Sequence, residues 1–312
     1  MAASAKKAIV TGGAGFIGSH VVDSLLADGY EVLVIDDLSS GRADRVPAEA
    51  RLVQLDIVDA DRVRAIVEEV QPEAVFHLAA QASVTVSVAD PGRDCEVNVR
   101  GTLNVLDAAN ALGAPVVFTS TGGALYGDAA PRPTTEDYEP APLSPYGAAK
   151  LAAESYVKTW AAAKGVPNAI ARLGNVYGPR QSPHGEAGVV AIFSYKLYVG
   201  ERPVLYGHGK PTRDYVYVSD VVAALRAAAG RVGTYNVATE VETDVLGVWR
   251  GLGAVAGSEV DPDFADLRPG ELLHSRLDAG RALRELGWSA QVPIAEGLRL
   301  TYEALVTEFQ AR

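Results

Sequence analysis

The sequence predicts an α/β fold, a doubly wound parallel sheet followed by a smaller C-terminal α/β lobe. Three observations predict it. Through the first half of the chain, short runs rich in Val, Ile and Leu alternate with stretches of helical periodicity. Those runs are apolar throughout and do not alternate with polar residues, as expected of strands buried on both faces by helices. Proline and glycine density rises at 127–147 and at 178–188, where loops would cross the carboxyl edge of the sheet and ligands would bind.

In order, strands are expected at about 7–11, 31–36, 51–55, 74–79, 115–120 and 167–173, with helices at about 16–28, 59–70, 94–112 and 146–164. After about residue 175 the alternation loosens. A helix near 188–200, a short strand near 203–206, the strand Tyr215-Val-Tyr-Val, a helix at 219–229 and one near 279–286 make the smaller lobe. The chain is expected to pass between the lobes more than once.

The join of the first strand and helix carries the strongest chemical signal. Residues 8–18 read AIVTGGAGFIG, with Gly12, Gly15 and Gly18 at three-residue spacing. A strand turning tightly into a helix leaves backbone N–H groups unpaired at the helix N-terminus, where the dipole also attracts anions. Glycines let the backbone turn and a pyrophosphate approach, as in the Rossmann dinucleotide fingerprint. The second strand, Glu31-Val-Leu-Val-Ile-Asp36, ends in an acid about twenty residues on, placed to bind ribose hydroxyls. Asp37 makes the position doubly acidic and repels a 2′-phosphate. NAD is therefore favoured over NADP, although Arg42 and Arg45 lie nearby.

Composition narrows the function classes. The 312 residues carry a net charge of −11, which argues against generic nucleic-acid binding. No apolar run spans a membrane. The five histidines show no metal-ligand spacing, so no metal is expected. Cys95, the single cysteine, excludes an internal disulfide. The opening Met-Ala-Ala-Ser-Ala-Lys-Lys leads into a strand without a signal-peptide core, and a cytoplasmic location is expected.

Tyr146-Gly-Ala-Ala-Lys150 opens a helix after Pro142-Leu-Ser-Pro145. Residues four apart share a helix face, so Tyr146 and Lys150 point the same way. A free tyrosine titrates near about 10 and is a poor base at neutral pH. A nearby ammonium favours the phenolate, and the positive ring of oxidised NAD pushes the same way. The pair could then take a proton from an alcohol as its hydride leaves. The segment Thr119-Ser120-Thr121-Gly-Gly-Ala-Leu-Tyr126 sets hydroxyls at a strand end, where one can bond the substrate oxygen or simply brace the strand.

Together the glycine loop, Asp36, Asp56-Ile57, His77-Leu-Ala-Ala80, Asn98, the hydroxyl strand and Tyr146…Lys150 resemble an extended short-chain dehydrogenase/reductase, more narrowly the UDP-glucose 4-epimerases, over roughly residues 7–305. The resemblance implies a tightly bound, recycled NAD. Its cofactor site would comprise Gly12, Gly15, Phe16, Ile17, Gly18, Asp36, Asp37, Leu38, Ser39, Gly41, Asp56, Ile57, Leu78, Ala79, Ala80, Gln81, Asn98, Thr119 and Ser120, with Tyr146 and Lys150. Within it, Asp56 and Ile57 would contact adenine. Thr121, Tyr146 and Lys150 would be catalytic, with Ser120 the alternative to Thr121, because Gly122-Gly123 looks inserted relative to many members. Residues 1–175 would form the NAD-binding domain and 176–312 a nucleotide-sugar lobe.

The same resemblance implies a UDP-sugar site. Arg213 and Arg268 would clamp the diphosphate, Glu271 the uridine ribose, and Asn175 the diphosphate again. Val204 and Tyr206 would form the uracil edge, with Val189, Tyr215 and Thr121 completing the contacts. Ser275 matches a position whose size controls the sugar pocket, and serine leaves room for an N-acetyl group. The expected reaction removes hydrogen from C4 to give a 4-keto sugar, rotates it, and returns the hydride to the other face. Dehydratases and decarboxylases place acids after the threonine, where this chain has Gly122-Gly123. Uronate epimerases usually carry threonine at Asn175 and arginine at Ser182, although Arg180 keeps that alternative alive. A reductase would consume added cofactor, and a noncatalytic NAD sensor need not keep Tyr146 and Lys150. In this family the helices matching 94–112 and 146–164 often pair in a homodimer. Ala149, Ala152 and Ala153 would permit that packing, or packing within one chain.

Overall fold

The computed structural model describes residues 5–184, 188–267 and 272–311. In chain order, the first part forms β1 (Lys7–Thr11), α1 (Phe16–Ala27), β2 (Glu31–Asp36), β3 (Arg51–Gln54), α2 (Ala60–Val70), β4 (Ala74–His77), α3 (Val84–Ala89), α4 (Pro91–Cys95), α5 (Thr102–Ala111), β5 (Val116–Thr121), α6 (Pro145–Lys164) and β6 (Ala169–Leu173). Then follow β7 (Asn175–Tyr177), α7 (Val189–Val199), β8 (Val204–Tyr206), β9 (Thr212–Tyr217), α8 (Val218–Ala228), β10 (Gly233–Val237), β11 (Glu242–Asp244), α9 (Val245–Ala256), β12 (Asp263–Ala265), α10 (Gly280–Leu286) and α11 (Ile294–Gln310).

Seven strands form one sheet in the order β10-β6-β5-β4-β1-β2-β3. The pairs β1–β2, β1–β4, β2–β3 and β4–β5 run parallel, with Thr11 opposite both Ile35 and His77. The order reverses between β1 and β4, which opens a crevice at their carboxyl ends. Alternate residues divide the sheet's faces. Ile9, Leu33, Ile35 and Val75 pack with Val63, Ile66, Leu106 and Val157 of α2, α5 and α6 in one core.

The contacts divide the chain into two compact units. One comprises 1–125, 142–172 and 222–235, and the other 126–141, 173–221 and 236–312. The second unit contains a three-stranded sheet, β11-β9-β7, and the pair β12-β8. Its helices α7, α9 and α11 pack on one another.

Three elements differ from the expected pattern for identifiable reasons. The helix expected from 94 starts at Pro91, because Asp90 caps it by accepting from the Arg93 N–H at 2.9 Å and proline suits the first turn. It then runs through a π-helical turn at Glu96–Gly101 before α5. The sheet also gains β10, which has no apolar run to announce it. Buried Thr234 and Asn236 interrupt the pattern. Asn236 is satisfied by donating to the Thr134 and Asp278 carbonyls at 2.9 and 3.0 Å and accepting from Tyr126 Oη at 2.9 Å. The sequence pattern does not mark α9, because Gly247, Gly251 and Gly253 weaken its helical signal. Among the described residues no helix is long and apolar enough to cross a membrane.

Candidate active site

The glycine loop lies at the β1/β4 reversal, against the loop that follows β4. Gly12 has φ +73°, and a Cβ there would fall 2.6 Å from the Ala79 nitrogen. A Cβ on Gly18 would fall 2.1 Å from the Gly12 carbonyl oxygen. Both positions therefore require glycine, one for conformation and one for close approach. Leu78 and Ala79 are tied to β1, their N–H groups donating to the Thr11 carbonyl at 3.0 Å and to Thr11 Oγ1 at 3.3 Å. Gly15 caps α1 with no side chain over the helix N-terminus, and Phe16 and Ile17 are half-buried in its first turn. This cradle fits a pyrophosphate held by backbone N–H groups.

Asp36 is buried at the end of β2. Its Oδ2 accepts from the Ala14 N–H and its Oδ1 from the Leu38 N–H, both at 2.9 Å. Burial pushes this carboxyl up; the two backbone bonds oppose that, and neighbouring Asp37 adds to it. Asp36 therefore braces the loop it serves. A Cβ on Gly41 would fall 2.7 Å from its Oδ1, so that segment closes directly over the carboxylate. Asp37 instead accepts from the Ser39 N–H at 2.9 Å and hydroxyl at 2.6 Å. Asp56 is half-exposed and pairs with Arg93 Nη2 at 2.6 Å. The Ile57 side chain lies in the core against Gly101.

The three hydroxyls of β5 have separate fates. Thr119 Oγ1 donates to the His77 carbonyl at 3.0 Å. Ser120 is 4% exposed, and its Oγ has no hydrogen-bond partner among the described residues. Thr121 is half-buried at the strand end and accepts from the Ala124 N–H at 3.2 Å, which leaves its own proton to donate. Ser144 caps α6 by accepting from Gly147 N–H at 3.2 Å, and Pro145 follows in the first turn. Tyr146 enters this helix with its N–H on Ser87 Oγ at 3.1 Å. Lys150, buried one turn later, donates to the Thr119 carbonyl at 3.0 Å and lies 4.8 Å from the Phe118 ring centroid.

Burial dominates the electrostatics of the pair. Burial, with the Asp94 carboxylate, pushes the Tyr146 phenol up to about 12. Burial pushes the Lys150 ammonium down to about 8, against the pull of Asp94 and Glu154. In the protein alone, desolvation is the largest influence on the phenol.

Asn98, in the π-helical turn, holds the loop after β4. It donates to the Gln81 carbonyl at 2.9 Å and accepts from the Gln81 N–H at 3.0 Å. Behind it sits His77, at the end of β4. Thr102 Oγ1 donates to the Asn98 carbonyl at 2.7 Å, so it accepts from His77 Nε2 at 3.0 Å. Nδ1 then accepts the Thr11 hydroxyl proton at 2.7 Å. Burial, with Lys150 nearby, pushes His77 down to about 3, so it stays neutral as a strut between β1, β4 and α5.

In the second unit, β9 and the segment before α10 bring several candidates together. Arg213 donates from Nη1 to the Thr212 carbonyl at 2.8 Å and the Leu273 carbonyl at 3.4 Å. The Ser275 N–H donates to the Thr212 carbonyl at 3.2 Å, so Ser275 lies beside Arg213. Asn175 is in register with Tyr215 across β7 and β9. Tyr215 is buried in an edge-on contact with Tyr177, 6.3 Å between centroids. Val204 and Tyr206 lie on β8, and Val189 opens α7. Arg268 and Glu271 lie outside the described residues. Asp214, which sequence reasoning passed over, accepts from Thr239 N–H and Oγ1, Glu240 N–H and Leu277 N–H at 2.7–3.4 Å, tying three segments together.

Residues 8–238 match the NAD dependent epimerase/dehydratase family. A UDP-glucose 4-epimerase of Mycolicibacterium smegmatis is 46% identical over 306 residues, 95% of this chain and 97% of that protein. The crystal structure of the Thermotoga maritima UDP-glucose 4-epimerase with UDP-glucose superposes with a TM-score of 0.95 at 42% identity, covering 97% of this chain and 99% of that one. The Thermus thermophilus UDP-glucose 4-epimerase in complex with NAD gives 0.89 at 42% identity, covering 96% and 98%. With the family matched over most of the chain and the glycine cradle, Asp36, Tyr146 and Lys150 in place, the chain belongs to the NAD dependent epimerase/dehydratase family, within the extended short-chain dehydrogenases/reductases.

Proposed function

We propose that this protein interconverts UDP-hexoses at C4, with UDP-glucose and UDP-galactose as its principal pair and their N-acetylamino counterparts as further substrates. One observation carries the choice. The chain following the β5 hydroxyls continues as Gly122-Gly123 and supplies no carboxylate beside Tyr146 and Lys150. Such a site can move a proton at a single carbinol oxygen, but it lacks the second acid/base that elimination or decarboxylation requires. The relatives that are UDP-glucose 4-epimerases support the same reading.

Gly12, Gly15, Gly18, Asp36 and the loop at 78–81 would hold NAD, which supplies a hydride acceptor that can return what it takes. Tyr146 removes the proton from the sugar 4-hydroxyl and later gives it back. Thr121 bonds the same oxygen. Lys150 holds positive charge close to Tyr146. Arg213, with Arg268, Glu271 and Asn175, anchors the UDP end, since guanidinium forks suit phosphate oxygens. The sugar, held more loosely, can turn over between the two transfers. We also propose a cytoplasmic homodimer. Ala149 and Ala153 of α6 are buried inside the chain, so the pairing surface would be its exposed side, which includes Tyr156.

Purified protein offered a panel of UDP-sugars without added reductant should interconvert UDP-glucose and UDP-galactose, read by proton NMR. Exclusive conversion of UDP-glucuronate, or a stoichiometric need for NADH or NADPH, would overturn this reading. The two candidate hydroxyls can be separated by mutation. Thr121 reaches the strand end while Ser120 is enclosed, so Thr121→Ala should lower kcat by about 10²-fold and Ser120→Ala by far less. The reverse ranking would transfer the role to Ser120.

A further inference from the structure

Asp94 is a buried acid that the reaction described above does not use. It lies in α4, 1% exposed, and α4 packs against α6, the helix that carries Tyr146 and Lys150. One oxygen, Oδ1, accepts from Gln81 Nε2 at 2.8 Å and from Asn98 Nδ2 at 2.9 Å. The other, Oδ2, is sealed from solvent and has no hydrogen-bond partner among the described residues. Gln81 is itself pinned, donating to the Ser83 carbonyl at 2.8 Å and accepting from the Ser83 N–H at 2.6 Å. The carboxylate is therefore fixed by amides, which bring no charge of their own. An isolated buried carboxylate is costly, and it persists where a cation balances it through space.

We infer that Asp94 is the counter-charge of the Lys150 ammonium, a positioning residue locked by Gln81 and Asn98 that sets the protonation range of the Tyr146–Lys150 pair. The inference rests on the proposed use of that pair in epimerisation. The surrounding charges leave Asp94 this task. Glu154, on α6, is engaged by buried Arg172. His77 of β4 stays neutral. Arg93 is turned to Asp56 and Glu96, and Arg100 also pairs with Glu96. Asp107 of α5 pairs with Arg64 at the surface. Cys95 is exposed, and α3 and β5 carry no charged side chain. Electrostatic coupling agrees with this placement. Burial raises Asp94 while Lys150 holds it down, and Asp94 in turn raises both Lys150 and Tyr146.

The sign follows. With Asp94 neutralised, the Lys150 ammonium loses its proton at lower pH and the Tyr146 phenolate forms at lower pH. Asp94→Asn and the smaller Asp94→Ser should each lower the Lys150 midpoint by about one pH unit, followed by carbon NMR of ε-labelled lysines with Lys150→Met assigning the signal. Both limbs of the kcat–pH profile should move down together, and Asp94→Glu should restore them. A loss of rate with unmoved limbs and an unmoved Lys150 midpoint would reduce Asp94 to a structural role and overturn the inference. Should the neutral variants fail to fold, the unaltered protein decides: the Lys150 signal must shift again in acid as Asp94 takes up its proton, and no such shift overturns the inference. The lysine titration needs no turnover. A wild type without epimerase activity would thus sink the proposed function while leaving this test intact.

Discussion

Tyr146→Phe is expected to lower kcat by about 10²–10⁴-fold, the range of a lost general acid–base group, while NAD and UDP-sugar remain bound. The phenylalanine keeps the ring and the helix start, whose cap is Ser144 and whose Tyr146 contact with Ser87 is made by the backbone N–H. Only the phenolic oxygen is removed. The effect is large because no described neighbour offers a substitute at neutral pH. Lys150 is committed to the Thr119 carbonyl, and the β5 hydroxyls are weaker acids than the phenol. The phenol is itself protonated at neutral pH, pushed up to about 12 in the protein alone. Its use as a base thus depends on positive charge arriving with oxidised cofactor. Steady-state kinetics, with cofactor content read by absorbance after denaturation, checks the prediction. Full activity in this variant would remove Tyr146 from the mechanism.

Glu154→Ala is expected to cost about 3–5 kcal/mol of stability, the range for breaking a buried ion pair by removing one partner. Glu154 lies one turn beyond Lys150 on α6, with its side chain 0% exposed, and Arg172 on β6 is 2% exposed. The guanidinium meets the carboxylate as a fork, Nε to Oε1 at 2.9 Å and Nη2 to Oε2 at 2.6 Å. Removing the carboxylate takes this fork from an arginine that stays charged in the interior, since Arg cannot shed its proton there. Glu154→Leu with Arg172→Met should recover most of the loss, because an apolar pair of similar volume does not have to offset the desolvation of two ions. Denaturant midpoints for the single and double variants decide it. A single variant as stable as the wild type would show that Arg172 has another way to be satisfied.

Both predictions concern one helix, and they were not equally visible before the structure. Tyr146 and Lys150 are four residues apart, so their shared face follows from helical geometry alone. Glu154 and Arg172 are eighteen apart in sequence, on α6 and β6, and meet only once the chain has folded. Nothing local distinguishes this arginine from a surface one. The same holds for His77, whose partners Thr11 and Thr102 come from β1 and α5, and for Asp94, whose partner Gln81 lies in the loop after β4. Asp214 follows Arg213 immediately, yet its role appears only when the segments at 239–240 and 277 close on it.

By itself the sequence determined the strand–helix alternation, the glycine turn at Gly12, Gly15 and Gly18, the acid ending β2 and the Tyr146–Lys150 spacing. These are near-neighbour features, written in backbone conformation, periodicity and residues a few positions apart. Tertiary structure alone decided that β10 joins the sheet with polar residues inside it, that Ile57 turns into the core, and at which residues the chain passes between its two units. It also decided the protonation of the site. A pKa depends on desolvation and on charges reached through space, and in the protein alone these push the Tyr146 phenol up. Periodicity records which face of an element is buried; only packing determines what lies against that face.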